Sequence, residues 1–351
     1  MMLTGNEARI FQVHVTRRCN LRCIHCYSSS GPEQRESLPF PLLAQAIKDA
    51  AALGYNIVSF SGGEPMIRPD LPELASEARS QGMAVVCVTN GLLLNARKIV
   101  ELKHSIDMLA ISLDGNPERH NHMRATPKAF EQMAAKLPLL RDARLPFGLV
   151  FTLTHESLQD LAWAAQFAFE AGATLFQVHP LELTGRAADG LAGDEPAEDV
   201  AVRCWLATQR IRQLYSGRMT VQADFINAGS PPLAPEQAMS YAHECVKGDR
   251  KLARFLSPLV LEPDGSVVPL RFGFPRRFAL GSLKDQDLRA MTPIWIKERA
   301  LPLADLYRRV LTDALQRAWP VVNLFELLAS QAAPRSAAMT LVPGTLGITV
   351  A

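Results

Sequence analysis

Residues 11–26 read FQVHVTRRCNLRCIHC, and this stretch sets the organisation of the chain. A short apolar run with β-branched residues predicts a strand over 11–15. It leads directly into three cysteines, Cys19, Cys23 and Cys26. Loops after the carboxyl ends of parallel strands form the functional face of α/β folds. We therefore expect the three thiols to lie on such a face.

The alternation of a short apolar run with a segment of helical periodicity continues to residue 179. Strands are predicted over residues 11–15, 57–60, 84–89, 108–113, 147–153 and 174–179. Helices are predicted over residues 42–51, 69–81, 95–103, 127–143 and 157–171. The strands are apolar through their centres, which is typical of parallel strands covered on both faces. Six βα units predict an α/β fold, either an incomplete barrel or a doubly wound sheet.

The composition favours a globular protein of the cytoplasm. Of 351 residues, 48% are hydrophobic and 21% charged, enough to bury a sizeable core. Lys plus Arg number 37 against 35 Asp plus Glu, which argues against a nucleic-acid binder. Six cysteines are too few for a secreted disulfide scaffold, and residues 1–9 lack the apolar core of a secretory signal. The apolar tail at 337–351 is broken by Pro343 and Gly344, so no membrane span is expected.

The spacing of Cys19, Cys23 and Cys26 indicates a metal site. Three thiolates without an obvious fourth suggest a 4Fe–4S cluster with one iron left open. A closed zinc site that adds His25 to the same three thiolates is an alternative. Three buried cysteines without a metal are another. Spacing alone leaves all three interpretations open.

Further motifs follow the predicted strands in order, and the set closely resembles the radical S-adenosylmethionine (SAM) superfamily. The Cys-x3-Cys-x2-Cys spacing comes after the first strand, as in that family. The later motifs are Ser61-Gly62-Gly63-Glu64-Pro65, Thr89-Asn90-Gly91, Ser112-Leu113-Asp114-Gly115, His120 to Arg124, His179-Pro180-Leu181 and Gly185-Arg186-Ala187. The resemblance covers about residues 10–187, half the chain.

The resemblance implies a partial (β/α)6 TIM-type barrel with a small C-terminal α+β extension. It implies that Cys19, Cys23 and Cys26 hold three irons of one oxygen-sensitive 4Fe–4S cluster, while SAM chelates the fourth. Reductive cleavage of SAM then gives a 5′-deoxyadenosyl radical that abstracts a hydrogen atom from a substrate. The electron is expected from a low-potential donor of the flavodoxin or ferredoxin type.

The resemblance also implies a set of SAM contacts. His25 would pack near the adenine, the edge at Gly62, Gly63 and Glu64 would accept from the amino group, and Arg124 would pair with the carboxylate. Asn90, Ser112 and Asp114 would bind the ribose or the methionine part, and the backbone around Val178 and His179 would line the adenine. Without a ligand, these residues would be an ordinary loop histidine, a glycine-rich turn and a solvated arginine.

We expect four parts: a core over 1–190, a linker and helix over 191–240, a hairpin region over 241–290 and a helical tail over 291–351. The turn Pro263-Asp264-Gly265 between short apolar runs predicts the hairpin. The hairpin region resembles the SPASM-type extension of peptide- and cofactor-modifying radical SAM enzymes, but Leu270 follows Pro269 where that family has cysteine. We expect a SPASM-like region without cluster ligands that covers the barrel mouth or binds substrate.

Three cysteines lie outside the motif. Cys204 and Cys245 are weak candidates for a hydrogen-atom donor to a substrate radical, or else small buried hydrophobes. Cys87, between valines in mid-strand, is expected in the core. The resemblance implies a peptide or a peptide- or tetrapyrrole-derived precursor as substrate. A small metabolite is the alternative, and a non-catalytic iron–sulfur or zinc protein that binds a partner is a third possibility.

Overall fold

The computed structural model describes residues 8–227, 234–317 and 320–333. The tail at 337–351 and parts of the predicted segments 191–240 and 291–351 lie outside these ranges. Twelve strands are found in the described residues. They are β1 (Ile10–His14), β2 (Ile57–Ser61), β3 (Ala84–Thr89), β4 (Met108–Leu113), β5 (Phe147–Leu153), β6 (Leu175–Pro180), β7 (Thr220–Ala223), β8 (Ile226–Asn227), β9 (Leu259–Leu261), β10 (Ser266–Pro269), β11 (Gly281–Ser282) and β12 (Val321–Val322).

Strands β1 to β7 pair in sequence order and all in parallel, which confirms the α/β fold and the partial TIM-type barrel. The six predicted strands are all present, within one residue at each end. The seventh, β7, continues the sheet beyond residue 190, where we expected a linker. It was missed because it has only four residues, and the polar Thr220 and Gln222 alternate with Val221 and Ala223.

The predicted hairpin is also confirmed, and it joins the main sheet. Strand β9 lies parallel to β1, β10 is antiparallel to β9, and β11 is antiparallel to β10. The hairpin therefore extends the barrel sheet on the β1 side. Strands β8 and β12 form a separate antiparallel pair.

The helices alternate with the strands, and two of the predicted helices differ from expectation. They are α1 (Phe40–Ala52), α2 (Leu71–Ser80), α3 (Ala96–Leu102), α4 (Pro117–Met123), α5 (Ala129–Ala134), α6 (Leu137–Asp142), α7 (Leu161–Ala171), α8 (Arg186–Gly190), α9 (Glu198–Leu214), α10 (Pro235–Lys247), α11 (Leu288–Trp295), α12 (Leu301–Gln316) and α13 (Leu324–Ala332). The helix predicted over 127–143 is two short helices, because Pro138 lies in the first turn of the second and cannot continue the first. The segment 157–171 opens with a 3-10 turn before α7.

The two faces of the parallel strands differ in polarity. One face, including Phe11, Phe60 and Phe176, is fully buried in the hydrophobic core beneath the helices. The opposite, concave face carries half-buried polar side chains, including Gln12, Ser59, Ser112, Thr152 and Gln177. The interior of the barrel is thus a polar surface suited to receive a ligand.

The segment 270–275, which follows β10, crosses the mouth of the barrel. Its Phe272 ring lies 4.8 Å from the ring of His14 at the end of β1. The neighbouring Arg271 forms an ion pair with Glu182, which follows β6, at 3.2 Å. The segment therefore joins the two sides of the partial barrel. Within the described ranges, none of the helices combines the length and apolarity that crossing a membrane requires.

Candidate functional site

The glycine pair after β2 holds the cysteine loop in place. Gly63 N donates to Thr16 O at 2.6 Å, and Glu64 N donates to Arg18 O at 3.0 Å. A Cβ added at Gly62 would lie 2.5 Å from Thr16 O, and one at Gly63 would lie 2.2 Å from Arg18 O. The glycines are needed because two stretches of backbone touch here. We had expected them to admit a ligand; the structure shows that they first admit the cysteine loop itself.

The Gly185-Arg186 motif holds the other end of the loop. A Cβ at Gly185 would lie 2.3 Å from Tyr27 O, and Arg186 N donates to Cys26 O at 3.0 Å. The Arg186 guanidinium reaches further, since its Nε donates to Cys23 O at 2.9 Å. The cysteine loop is therefore fixed by residues that follow two distant strands.

The three motif cysteines lie together, two of them buried and Cys26 half-buried. Each sulfur atom accepts a hydrogen bond from an N–H group. The pairs are Leu21 N to Cys19 Sγ at 3.4 Å, Ser30 N to Cys26 Sγ at 3.3 Å and Arg124 Nη1 to Cys23 Sγ at 3.7 Å. Donors directed at each sulfur suit anionic thiolates that ligate a metal cluster.

The electrostatics of these thiols fit the same conclusion. Burial raises the pKa of Cys19 to about 12 and also raises that of Cys23, against the opposing effect of Arg124. Thiols in such surroundings give up their protons when a metal centre supplies positive charge. The donor set therefore fits an iron–sulfur cluster.

The geometry does not favour the zinc alternative. Both ring nitrogens of His25 face other partners: Nδ1 lies 3.2 Å from Met123 O, and Nε2 lies 3.4 Å from Asp114 Oδ1. Among the residues that the structure describes, no three His, Cys, Asp or Glu side chains converge on a single metal ion. A 4Fe–4S cluster takes each thiolate on a different iron, so its ligands need not converge in that way.

Asp114, which follows β4, accepts several hydrogen bonds although its side chain has no exposed surface. Arg124 donates to it through Nε at 2.5 Å and Nη2 at 2.9 Å, and Thr152 Oγ1 donates at 2.8 Å. Burial works to raise the pKa of Asp114, but the Arg124 guanidinium together with His25 and His120 holds it well below its usual range. Arg124 is thus a buried residue rather than a solvated one. We expected Arg124 to bind the carboxylate of SAM. In this structure it binds the carboxylate of Asp114 instead.

Glu64 ties the ends of β2 and β3 together. Its buried carboxylate accepts from Met66 N at 3.0 Å, Thr89 Oγ1 at 2.8 Å and Asn90 N at 2.9 Å. The Asn90 side chain in turn donates to Asn20 Oδ1, in the cysteine loop, at 2.9 Å. We had expected Glu64 and Asn90 to contact SAM; their contacts in the structure position the strand ends and the loop.

Ser112 and Val178 occupy opposite faces of the sheet. Ser112, half-buried on the concave face, donates to Thr89 O at 3.4 Å. Val178 is fully buried on the helix side, so only its backbone can face the barrel mouth.

The His179 side chain belongs to a polar group at the ends of β6 and β7. Its Nδ1 lies 2.8 Å from Asp224 Oδ2, and Gln177 Nε2 donates to the same carboxylate. Burial works to lower the pKa of His179, but Asp224 raises it to about 9. From the sequence, only the backbone at His179 is expected to line the adenine. Asp224 directly follows β7, and it is not among the predicted site residues because β7 itself was not predicted.

The remaining cysteines lie away from the loop. Cys204 is fully buried in α9, with its Sγ 3.9 Å from Thr208 Oγ1, and Cys245 is buried in α10. Burial raises the pKa of both thiols to about 11. Their helix positions favour the interpretation as small buried hydrophobes over a hydrogen-atom donor. Cys87 is fully buried in β3, as expected for a core residue.

Comparisons with known proteins agree with this geometry. The profile of the Radical SAM superfamily matches residues 13–168. The AdoMet-dependent heme synthase of Methanosarcina barkeri is 34% identical over 205 residues, 56% of each chain. The PqqA peptide cyclase of Ruegeria pomeroyi is 27% identical over 73% of this chain and 65% of its own. The chain spans about half the length of the curated relatives that it matches at higher identity.

The fold is shared with solved structures. Streptococcus suis SuiB bound to the precursor peptide SuiA superposes on 84% of this chain and 66% of its own, with a TM-score of 0.64 and 14% identity. The SuiB structure bound to S-adenosylmethionine gives 0.63. This superfamily uses a 4Fe–4S cluster together with S-adenosylmethionine. Residues 13–168 match the radical SAM domain, the part that the chain has in common with this superfamily.

Proposed function

We propose that this chain binds a 4Fe–4S cluster through Cys19, Cys23 and Cys26 and reductively cleaves S-adenosylmethionine. When bound, the cluster and SAM supply a 5′-deoxyadenosyl radical that abstracts a hydrogen atom from the substrate. The observation that carries this proposal is that each of the three sulfur atoms accepts a hydrogen bond from an N–H group. Three such donors suit three thiolates on one cluster.

The residues around the loop pre-organise the site. Gly62 and Gly63 let the loop pack on the end of β2, and Arg186 binds two of its carbonyl groups. Asp114 fixes the plane of Arg124 through two hydrogen bonds, so that Nη1 points at Cys23. The polar concave face of β1 to β6 is the surface left to receive the substrate.

We infer that the substrate is a tetrapyrrole. The support comes from sequence relatives named for that chemistry: AdoMet-dependent heme synthases at 32–34% identity and an Fe-coproporphyrin III synthase at 31%. A peptide substrate is the second candidate. It is favoured by the match to the PqqA peptide cyclase, which has lower identity but spans 260 residues and so reaches beyond the radical SAM domain.

The cluster and the cleavage reaction are tested by anaerobic reconstitution. We expect about four irons and four sulfides per chain, and 5′-deoxyadenosine from SAM in the presence of a low-potential reductant. Replacing Cys19, Cys23 and Cys26 with Ala should abolish both. One zinc per chain and no cleavage of SAM would contradict the proposal.

The substrate is tested by mass spectrometry. Fe-coproporphyrin III deuterated on its side chains is incubated with the reconstituted protein, SAM and reductant. We expect a product of changed mass and deuterium in the 5′-deoxyadenosine. An unchanged porphyrin, together with a modified peptide encoded beside the gene, would favour the second candidate.

A further inference from the structure

Arg271 lies at the mouth of the barrel, above the concave face. It follows β10 in the segment 270–275, between Phe272, which packs on His14, and Glu182, which follows β6. Its side chain is only 8% exposed. A nearly buried guanidinium needs partners for its five N–H groups.

The structure provides those partners on one nitrogen only. Arg271 Nη1 donates to Glu326 Oε2 at 2.7 Å and faces Glu182 Oε2 at 3.2 Å. The Nε atom is buried and has no hydrogen-bond partner, and no described residue accepts from Nη2. The edge of the guanidinium formed by Nε and Nη2 is the one that binds a carboxylate through two parallel hydrogen bonds.

We propose that Arg271 binds a carboxylate group of the substrate through its Nε–Nη2 edge. Glu182 and Glu326 both bind at Nη1, so together they hold the guanidinium in position and leave that edge free. An unpaired buried N–H costs free energy that a charged acceptor would recover. This inference rests on the proposed function, because it places the substrate at the barrel mouth.

The location of Arg271 suits an entering ligand. The segment 270–275 pairs with no strand, and Leu270 has a φ of +70°, in the left-handed region. Such a segment is the part of the mouth best able to shift as a substrate arrives. Coproporphyrin carries propionate carboxylates at its rim, and one of them would meet Arg271 while the ring covers the concave face.

The test compares two porphyrins on two variants. Binding of coproporphyrin III and of its tetramethyl ester to the holoprotein is titrated by the Soret absorption band. We expect Arg271→Gln to weaken binding of the free acid by about 30-fold or more, since it removes a charged bidentate contact. Binding of the ester, which has no carboxylate, should be equal in the wild type and the variant.

Two further variants keep the test decisive. Arg271→Lys retains the charge but cannot donate two parallel hydrogen bonds to one carboxylate. Its affinity for the free acid should therefore fall almost as far as that of Arg271→Gln, and it provides the test if the Gln variant folds poorly. Arg277→Gln is the matched control, because Arg277 is an exposed arginine just beyond the segment 270–275 and packs on Phe278. Its affinity should equal that of the wild type.

Wild-type affinity for the free acid in Arg271→Gln would overturn the inference. So would a wild-type protein that binds neither porphyrin. Iron content and SAM cleavage without substrate are measured on the same samples, and they report on the proposed cluster chemistry separately. A loss confined to porphyrin binding therefore concerns Arg271, and a loss of iron concerns the cysteine site.

Discussion

At the scale of single residues, the Asp114–Arg124 pair shows how this site is built. Both side chains are buried, and each is satisfied mainly by the other. Two buried charges are stable only as a pair, because either one alone would remain desolvated without a counter-charge. The pair also fixes the Nη1 donor that faces Cys23.

Replacing Asp114 with Asn should therefore be costly. We expect a loss of about 3–5 kcal/mol in the free energy of unfolding, measured with urea, because Arg124 keeps its charge in a buried site. Asp305→Asn is the control: Asp305 pairs with Arg308 and Arg309 on the exposed face of α12, and its loss should cost under about 1 kcal/mol. Equal effects in the two variants would contradict the buried-pair account.

His14 gives a prediction about pH. The ring is fully buried, neither nitrogen has a partner among the described residues, and burial lowers its pKa to about 3. Below pH 6.5 this ring is protonated in the unfolded chain but stays neutral in the folded protein. The free energy of unfolding therefore falls as the pH drops from 6.5 towards 3.

When the pH is lowered from 7 to 5, His14 should reduce the free energy of unfolding by about 2 kcal/mol. The comparison of urea unfolding for the wild type and His14→Gln isolates this contribution, since other titrating groups are common to both. Relative to His14→Gln, the free energy of unfolding of the wild type should be about 2 kcal/mol lower at pH 5 than at pH 7. If the difference in the free energy of unfolding were the same at both pH values, His14 would take up its proton in the folded protein as it does in the unfolded chain.

At the scale of elements, the loop after β1 depends on glycines that come from distant strands. A Cβ at Gly63 would overlap Arg18 O, which is backbone and has no way to move aside. We expect Gly63→Ala to lose most of its iron on anaerobic reconstitution. Gly190→Ala is the control, because nothing lies within 4 Å of a Cβ there, and it should bind iron as the wild type does. Full iron in Gly63→Ala would contradict the packing role of this glycine.

The elements also show how far sequence reasoning reaches. Strands β3, β4 and β5 have the predicted bounds because each contains at least four apolar residues in succession. Strand β7 was not predicted because its four residues alternate between polar and apolar side chains and so contain no such run. The motif residues were correctly placed at strand ends, but the sequence does not tell whether Glu64 or Arg124 turns to a ligand or to another residue of the chain. That choice depends on distances between strands, which only the fold supplies.

At the scale of the whole molecule, the residues that the structure describes contain one candidate cluster site. The other three cysteines are separated: Cys87 in the core sheet, Cys204 in α9 and Cys245 in α10. The SPASM-like character of the hairpin region stays a prediction, and its expected lack of an auxiliary cluster can be measured. Reconstituted wild-type protein should hold about four irons per chain. A value near eight would show a second cluster and refute that expectation.

The central claim is that three thiolates hold a cluster with one iron open to SAM. The most direct measurement is the electron paramagnetic resonance spectrum of the reduced, oxygen-free protein before and after SAM is added. We predict the signal of a reduced 4Fe–4S cluster that changes shape on addition of SAM and is absent when Cys23 is replaced by Ala. A reduced protein with no such signal, or with a signal that SAM leaves unchanged, would contradict the claim.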